Sequence, residues 1–236
     1  MLFWSRSHSL QRKIITAIVM VGLLPLCLSL VLTYIEERRA LRETIGANFK
    51  EVAVEAARRI EMQVTRGVNE AQQLAATPFL RTSVTESNHT YLDKDEKTVQ
   101  SMIKAWQQRW RQRDKQSEFP LFINRIVTNY LIRWHDIRKA DYVGIFVTDN
   151  RGALVVSSIP QVEYYHGKAA WWQAVMKRGT GKVFVSDIFF DPAFGTHVVN
   201  VSAPIIDDEQ HVTIGAVTVL LRRDTLFHSV SEATVG

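Results

Sequence analysis

DYVGIFVTDNRGALVVSS, residues 141–158, is the stretch that decides the fold. Two β-rich runs, 141–149 and 153–158, flank Asn150-Arg151-Gly152. Branched and aromatic side chains favour a pleated, half-buried surface, and Gly relaxes the backbone for a tight turn. The segment therefore predicts an antiparallel hairpin. Downstream, a loop at 159–168 holds Pro160, Tyr164, Tyr165 and Gly167. A short helix is expected from Ala169 to Lys177, stopped by Gly179-Thr180-Gly181. Three more strands read as 182–187 (KVFVSD), 196–205 (THVVNVSAPI) and 212–221 (VTIGAVTVLL), with DDEQ at 207–210 as the turn between the last two. An amphipathic piece, 223–231, points onward. Hairpin-joined strands preceded by helices predict an α+β fold, a mainly antiparallel five-stranded sheet with its helices on one side.

Upstream, residues 35–76 contain no proline and only two glycines, Gly46 and Gly67. Apolar residues recur in steps of three and four from Leu41 to Leu74, the period of an amphipathic helix. At ~1.5 Å per residue such a helix is about 60 Å long. Thr77-Pro78 is expected to end it. Residues 83–95 (SVTESNHTYLDKD) are polar and read as a loop. Two further helices are expected, at 94–114 with Val99, Ile103, Trp106 and Trp110 on one face, and at 120–138 with Pro120 in its first turn.

Residues 14–34, IITAIVMVGLLPLCLSLVLTY, form an uncharged run that as a helix spans the roughly 30 Å hydrocarbon core of a bilayer. The run exceeds the apolar region of a secretory signal, about 7–15 residues, and no small-residue cleavage site follows it. Pro25-Leu26 before Cys27 does not suit a lipoprotein signal. An uncleaved transmembrane helix is expected, with the lipid bilayer as a partner. Arg6, Arg12 and Lys13 hold residues 1–13 in the cytoplasm by the positive-inside rule. Residues 35–236 then lie on the far side of a bacterial inner membrane, periplasmic or extracellular.

The net charge of +5 is uneven, because the first 34 residues supply three positive charges and no acid. The basic balance is thus partly a topology signal, and no nucleic-acid partner is expected. WQQRWRQR (106–113) interleaves aromatic and basic residues, but its helical spacing suits a packed amphipathic helix better. Cys27, the single cysteine, lies in the apolar run, which excludes disulfides and thiolate metal sites from the domain. The seven histidines lack the spacing of a zinc site. There is no G-x-S-x-G and no glycine-rich phosphate loop. No catalytic residue, metal or cofactor is expected, and the chain does not read as an enzyme.

The layout resembles the extracytoplasmic Cache sensor family, whose sheet is PAS-like. The resemblance rests on the ordered set of anchor, long helix, the D-x-x-G hairpin (Asp149, Gly152), the tyrosine loop, Trp171-Trp172, GKVFVSD, SAPI (202–205) and IGAV (214–217). It covers about residues 36–230. It implies a long helix and helical cap at 35–140, a sheet module at 141–230 and a short end piece at 231–236. The long helical lead-in is similar to the membrane-distal module of a double Cache receptor. Such receptors continue to a second module, a second span and a histidine kinase, chemoreceptor or diguanylate cyclase output. The expectation is therefore a receptor truncated before its output, or one that works with a partner.

The resemblance also implies a pocket. Amino-acid-binding members use a tyrosine, a basic residue two positions before a tryptophan-aromatic pair, a strand aspartate and a last acid. The basic group and aromatic donors hold a carboxylate, and the acids hold an ammonium. Tyr164 or Tyr165, Trp171, Trp172 and Asp187 match in type. The basic position falls on Ala169, with Lys168 beside it, and the last acid appears as Leu220. The signature is incomplete, so the ligand is a small molecule of open class, an amino acid or carboxylate among them. Plainer readings exist. The tryptophans can be core, and since neighbouring helix residues point about 100° apart, at most one faces a pocket squarely. Lys168 can be solvated, Asp187 can order the turn before Phe189-Phe190, and His166 reads as surface loop. Two functions follow, a sensor that dimerises through its long helix, or an anchored interaction or scaffold protein with a filled core.

Overall fold

Steps of three and four along the N-terminal third become one helix, α1 (Ser7–Ala75), which takes in both the apolar run and the amphipathic stretch. The computed structural model of the protein describes residues 7–112, 125–177 and 182–224. Pro25 lies inside α1. The chain divides into two units, the first ending at Glu55 and the second starting at Ala56. In the first, every side chain from 12 to 54 is exposed, including the run from Ile14 to Tyr34. This helix is long and apolar enough to cross a membrane.

The second unit holds the last turns of α1, then α2 (Pro78–His89), α3 (Glu96–Gln112), α4 (Arg125–Ile137), β1 (Tyr142–Asp149), β2 (Leu154–Ser157), α5 (Ala170–Lys177), β3 (Phe184–Val185), β4 (Phe189–Asp191), β5 (Thr196–Ile206) and β6 (Thr213–Arg222). All pairings are antiparallel, in the order β2-β1-β6-β5-β3, with β4 also on β5. The fold is α+β, with a long N-terminal apolar helix and a mainly antiparallel sheet.

Three details differ from the sequence reading. Among the described residues the sheet has six strands, because the expected 182–187 strand pairs only at Phe184–Val185 and the chain returns to β5 as β4. Residues 78–89 are helical rather than partly loop. Pro78 sits in the first turn of α2, where its missing N–H costs nothing, and Leu80 and Val84 are buried. Helices also cover both faces of the sheet rather than one. Pro120, the Gly179-Thr180-Gly181 stop and the 225–231 part of the final amphipathic piece lie outside the described residues.

Strand alternation explains the two faces. One carries Ile145, Val147, Val217, Val219, Leu221, Val199, Val201 and Ala203, all buried. A Cβ at Gly67 would press on Leu221 and one at Gly215 on Val84, so α1 and α2 cover this face. Fully removing a Val or Leu side chain from water stabilises by about 1.5–3 kcal/mol, so this face is the main source of cohesion. The opposite face carries Phe146, Leu220, Asn200, Ser202 and Thr218, under α5 and the loop before it. Here polar side chains are buried but paired. Ser202 Oγ donates to Asn200 Oδ1 at 2.7 Å and lies 2.9 Å from Thr218 Oγ1. Ser202 has one proton, so Thr218 is the donor to Ser202.

Candidate functional site

The D-x-x-G turn anchors the loop that builds the site. Asp149 is fully buried, and its Oδ1 accepts the N–H groups of Arg151 and Ala153, each at 2.9 Å. Oδ2 accepts Tyr91 OH at 2.8 Å and Ser87 Oγ at 3.1 Å. Burial pushes the Asp149 pKa up, with the four donors opposing. Gly152 has φ +83°, and a Cβ there would come within 2.4 Å of the Gly167 nitrogen. The missing side chain lets the 164–167 loop close on the turn, through the 2.7 Å bond from His166 N to Gly152 O and the 2.8 Å bond from Leu154 N to Tyr164 O. Trp110 Nε1 ties α3 to the same loop, donating to Val162 O at 2.7 Å.

Held this way, Tyr165 stands between two cavities. The first, about 320 Å³, lies on the polar-striped face of the sheet. Phe146, Asn200 and Leu220 line it from β1, β5 and β6, Trp171 from α5, Tyr165 and His166 from the loop, and Phe189 and Asp191 from β4. The His166 ring stacks on Phe146 with centroids 4.8 Å apart, and Trp171 meets Phe146 edge-on at 5.8 Å. These rings keep water from the imidazole and lower its pKa to about 4, while Nε2 lies 2.8 Å from Glu163 O. The second cavity, about 700 Å³, is lined by α3, the Asn150-Arg151 turn, Tyr165, Lys168 and Trp172.

The six residues singled out from sequence are therefore distributed. Trp171 and Tyr165 meet in the first cavity, and Tyr165, Lys168 and Trp172 in the second. Tyr164 is buried, its pKa raised by burial and by Asp149, and it lines a third cavity with Met102 and Trp106. Asp187 is exposed and lines none of these cavities. Sequence reasoning missed Phe146 and Asn200 and set His166 aside. A lone Asn among the valines of 198–201 was the available signal, since a buried amide needs partners.

Residues 121–228 match the family model described as "Methyl-accepting chemotaxis protein-like, first PDC sensor domain". Among solved structures, the sensor domain of the V. cholerae histidine kinase DctB superposes with a TM-score of 0.52 at 10% identity, over 80% of this chain and 60% of that one. The protein is thus consistent with a Cache-type sensor. The E. coli DcuS sensor domain gives 0.46 at 14% identity, over 73% of this chain and 98% of that one. The sensory domain of the Campylobacter jejuni chemoreceptor Tlp3 with isoleucine bound gives 0.37 at 19%, over 66% and 68%. The family model and the DctB structure are both described as sensor domains. No curated protein matches the sequence.

Proposed function

We propose that this chain is the ligand-binding part of a membrane-anchored, non-enzymatic sensor, and that the cavity over Phe146 receives a small molecule. The carrying observation is that cavity, walled by Trp171, His166 and Tyr165 on a sheet face of Cache type. Its volume of about 320 Å³ suits a small ligand, and a filled core there would have favoured the scaffold reading. Residues 14–34 are the membrane span and 1–13 the cytoplasmic end. The helical cap at 35–140 and the sheet module at 141–230 work on the far side. Exposed apolar residues such as Leu41, Ile45, Phe49 and Val52 give α1 a surface for a second copy, and binding signals across the membrane by favouring one helix arrangement over another. The output, of kinase, chemoreceptor or cyclase type, acts beyond these residues.

The test is a thermal-shift screen of the full chain in nanodiscs against amino acids, carboxylates, amines and purines. A ligand at 100 times its Kd adds about 2.7 kcal/mol, several degrees in Tm. A hit lost in Trp171→Ala supports the reading. A well-folded chain with no hit in any class sinks it in favour of the scaffold.

A further inference from the structure

The larger cavity beside Tyr165, about 700 Å³, differs in character from the one over Phe146. Lys104 from α3, Arg151 from the hairpin turn and Lys168 from the loop before α5 line it, against one acid, Glu96. The surplus is two positive charges. Arg151 donates to Glu96 at 3.0 Å, and the other oxygen of Glu96 accepts Gln100 Nε2 at 3.2 Å. Lys104 and Lys168 join no ion pair among the described residues. Trp172 also lines the cavity, and its indole nitrogen is buried with no hydrogen-bond partner among the described residues. Buried donors are nearly always paired in folded proteins, so this one marks a place for an acceptor.

These donors sort anions by shape. A planar carboxylate is best held by a two-pronged guanidinium, and one prong of Arg151 is already taken by Glu96. The donors left over are two ammonium point charges and a single N–H. A phosphomonoester offers three strong acceptor oxygens and a charge of about −1.5 to −2 at pH 7, which matches both the number of donors and the surplus charge. We propose that the cavity between α3, the Asn150-Arg151 turn and the start of α5 binds a phosphomonoester dianion, with Lys104 and Lys168 as counter-charges and Trp172 Nε1 as a donor. Val99 and Ile103 line the same space, so an organic body carried by the phosphate has an apolar wall to rest on. The site is independent of the cavity over Phe146.

The test is titration calorimetry on the full chain in phosphatidylcholine nanodiscs, in a buffer free of phosphate. Inorganic phosphate and glycerol 3-phosphate are the probes, and succinate is the dianion built from planar carboxylates. At least one phosphate probe should bind about tenfold tighter than succinate. Tighter binding of inorganic phosphate assigns the site to the bare ion, and tighter binding of glycerol 3-phosphate to an organic phosphate. Lys104 and Lys168 are exposed, so Lys104→Gln and Lys168→Gln should melt like the parent and each weaken the phosphate about fivefold. Trp172→Phe keeps the ring, loses the N–H and should weaken it about threefold. Glu96→Gln removes the opposing charge and should tighten it about threefold, a gain that misfolding cannot produce. Lys139→Gln, outside the cavity, should change nothing. Succinate binding as tightly as both phosphate probes overturns the inference, as do lysine variants that bind like the parent. So does a well-folded chain whose Kd for both probes exceeds about 1 mM. Each of these failures leaves the reading of the Phe146 cavity standing, since that reading is tested through Trp171.

Discussion

Tyr91 and Asp149, 58 positions apart, meet in a 2.8 Å hydrogen bond that joins the end of α2 to the tip of the β1–β2 hairpin. Burial and the adjacent carboxylate both raise the Tyr91 pKa, so the phenol stays a donor at any ordinary pH. Asp149→Ala would leave two backbone N–H groups and two hydroxyls short of their acceptor. It should destabilise the domain by about 2–4 kcal/mol, and Tyr91→Phe by about 1 kcal/mol. Thermal unfolding of the full chain in nanodiscs reads both, and an Asp149→Ala loss below about 0.5 kcal/mol would contradict the arrangement.

Gly152 and Gly195 both have positive φ, +83° and +62°, but their surroundings differ. Space is open around a Cβ at Gly195, whereas at Gly152 it would strike the backbone of Gly167. Gly195→Ala should cost only the conformational penalty, about 1 kcal/mol. Gly152→Ala should cost roughly 3 kcal/mol or more and also weaken ligand binding, because the 164–167 loop must retreat. Equal losses at the two sites would refute the close packing described for Gly152.

Glu70 is buried near the end of α1 and accepts from Arg138 and from Tyr142 OH. Trp134 stacks on Tyr142 at 5.9 Å, so α1, α4 and β1 meet at this carboxylate. Glu70→Gln should cost about 1–2 kcal/mol, since Arg138 remains partly hydrated, and Glu70→Ala about 2–3 kcal/mol. Chemical denaturation checks the order, and a fully tolerated Glu70→Ala would show that the contact adds nothing.

His166 supplies a pH dependence with a definite sign. Its folded pKa, about 4, lies below the unfolded value of about 6.5, so the unfolded chain binds the proton more tightly. The stability it contributes is complete above pH 6.5 and is lost as pH falls toward 4, by about 2 kcal/mol after allowance for its partial exposure. Asp149, shifted upward, acts in the opposite direction, so the useful quantity is a difference. The Tm of His166→Gln should fall less between pH 7 and pH 4.5 than that of the parent. Parallel curves would remove His166 from the account.

Much of this architecture is legible in residue order. The β-branched runs around 141–158, 196–205 and 212–221 are strands, and threes and fours give α1, α3 and α4. Trp171 and Trp172 diverge into separate cavities, as helical geometry requires of neighbours. What escapes is what depends on partners far along the chain. Residues 83–89 are mostly polar, yet Ser87 binds Asp149, and Asn88 binds Ile214 O and Asn150 N, so their polarity is consumed inside the fold. β4 is three residues long, too short to display a period. Which side of the sheet α5 would cover, and hence that Lys168 and Trp171 would line different cavities, is set by tertiary packing that no local pattern encodes.

The order of the strands also bears on how the domain is made. β6, the last strand among the described residues, lies between β1 and β5 at the centre of the sheet. While the chain is being synthesised, the β1–β2 hairpin must wait with one edge unpaired until some seventy residues later its true neighbour emerges. Such non-local closure slows folding and leaves an edge open to other chains. For this protein the hazardous interval is the time between making Asp149 and making Arg222, and a chaperone that shields β1 would act there.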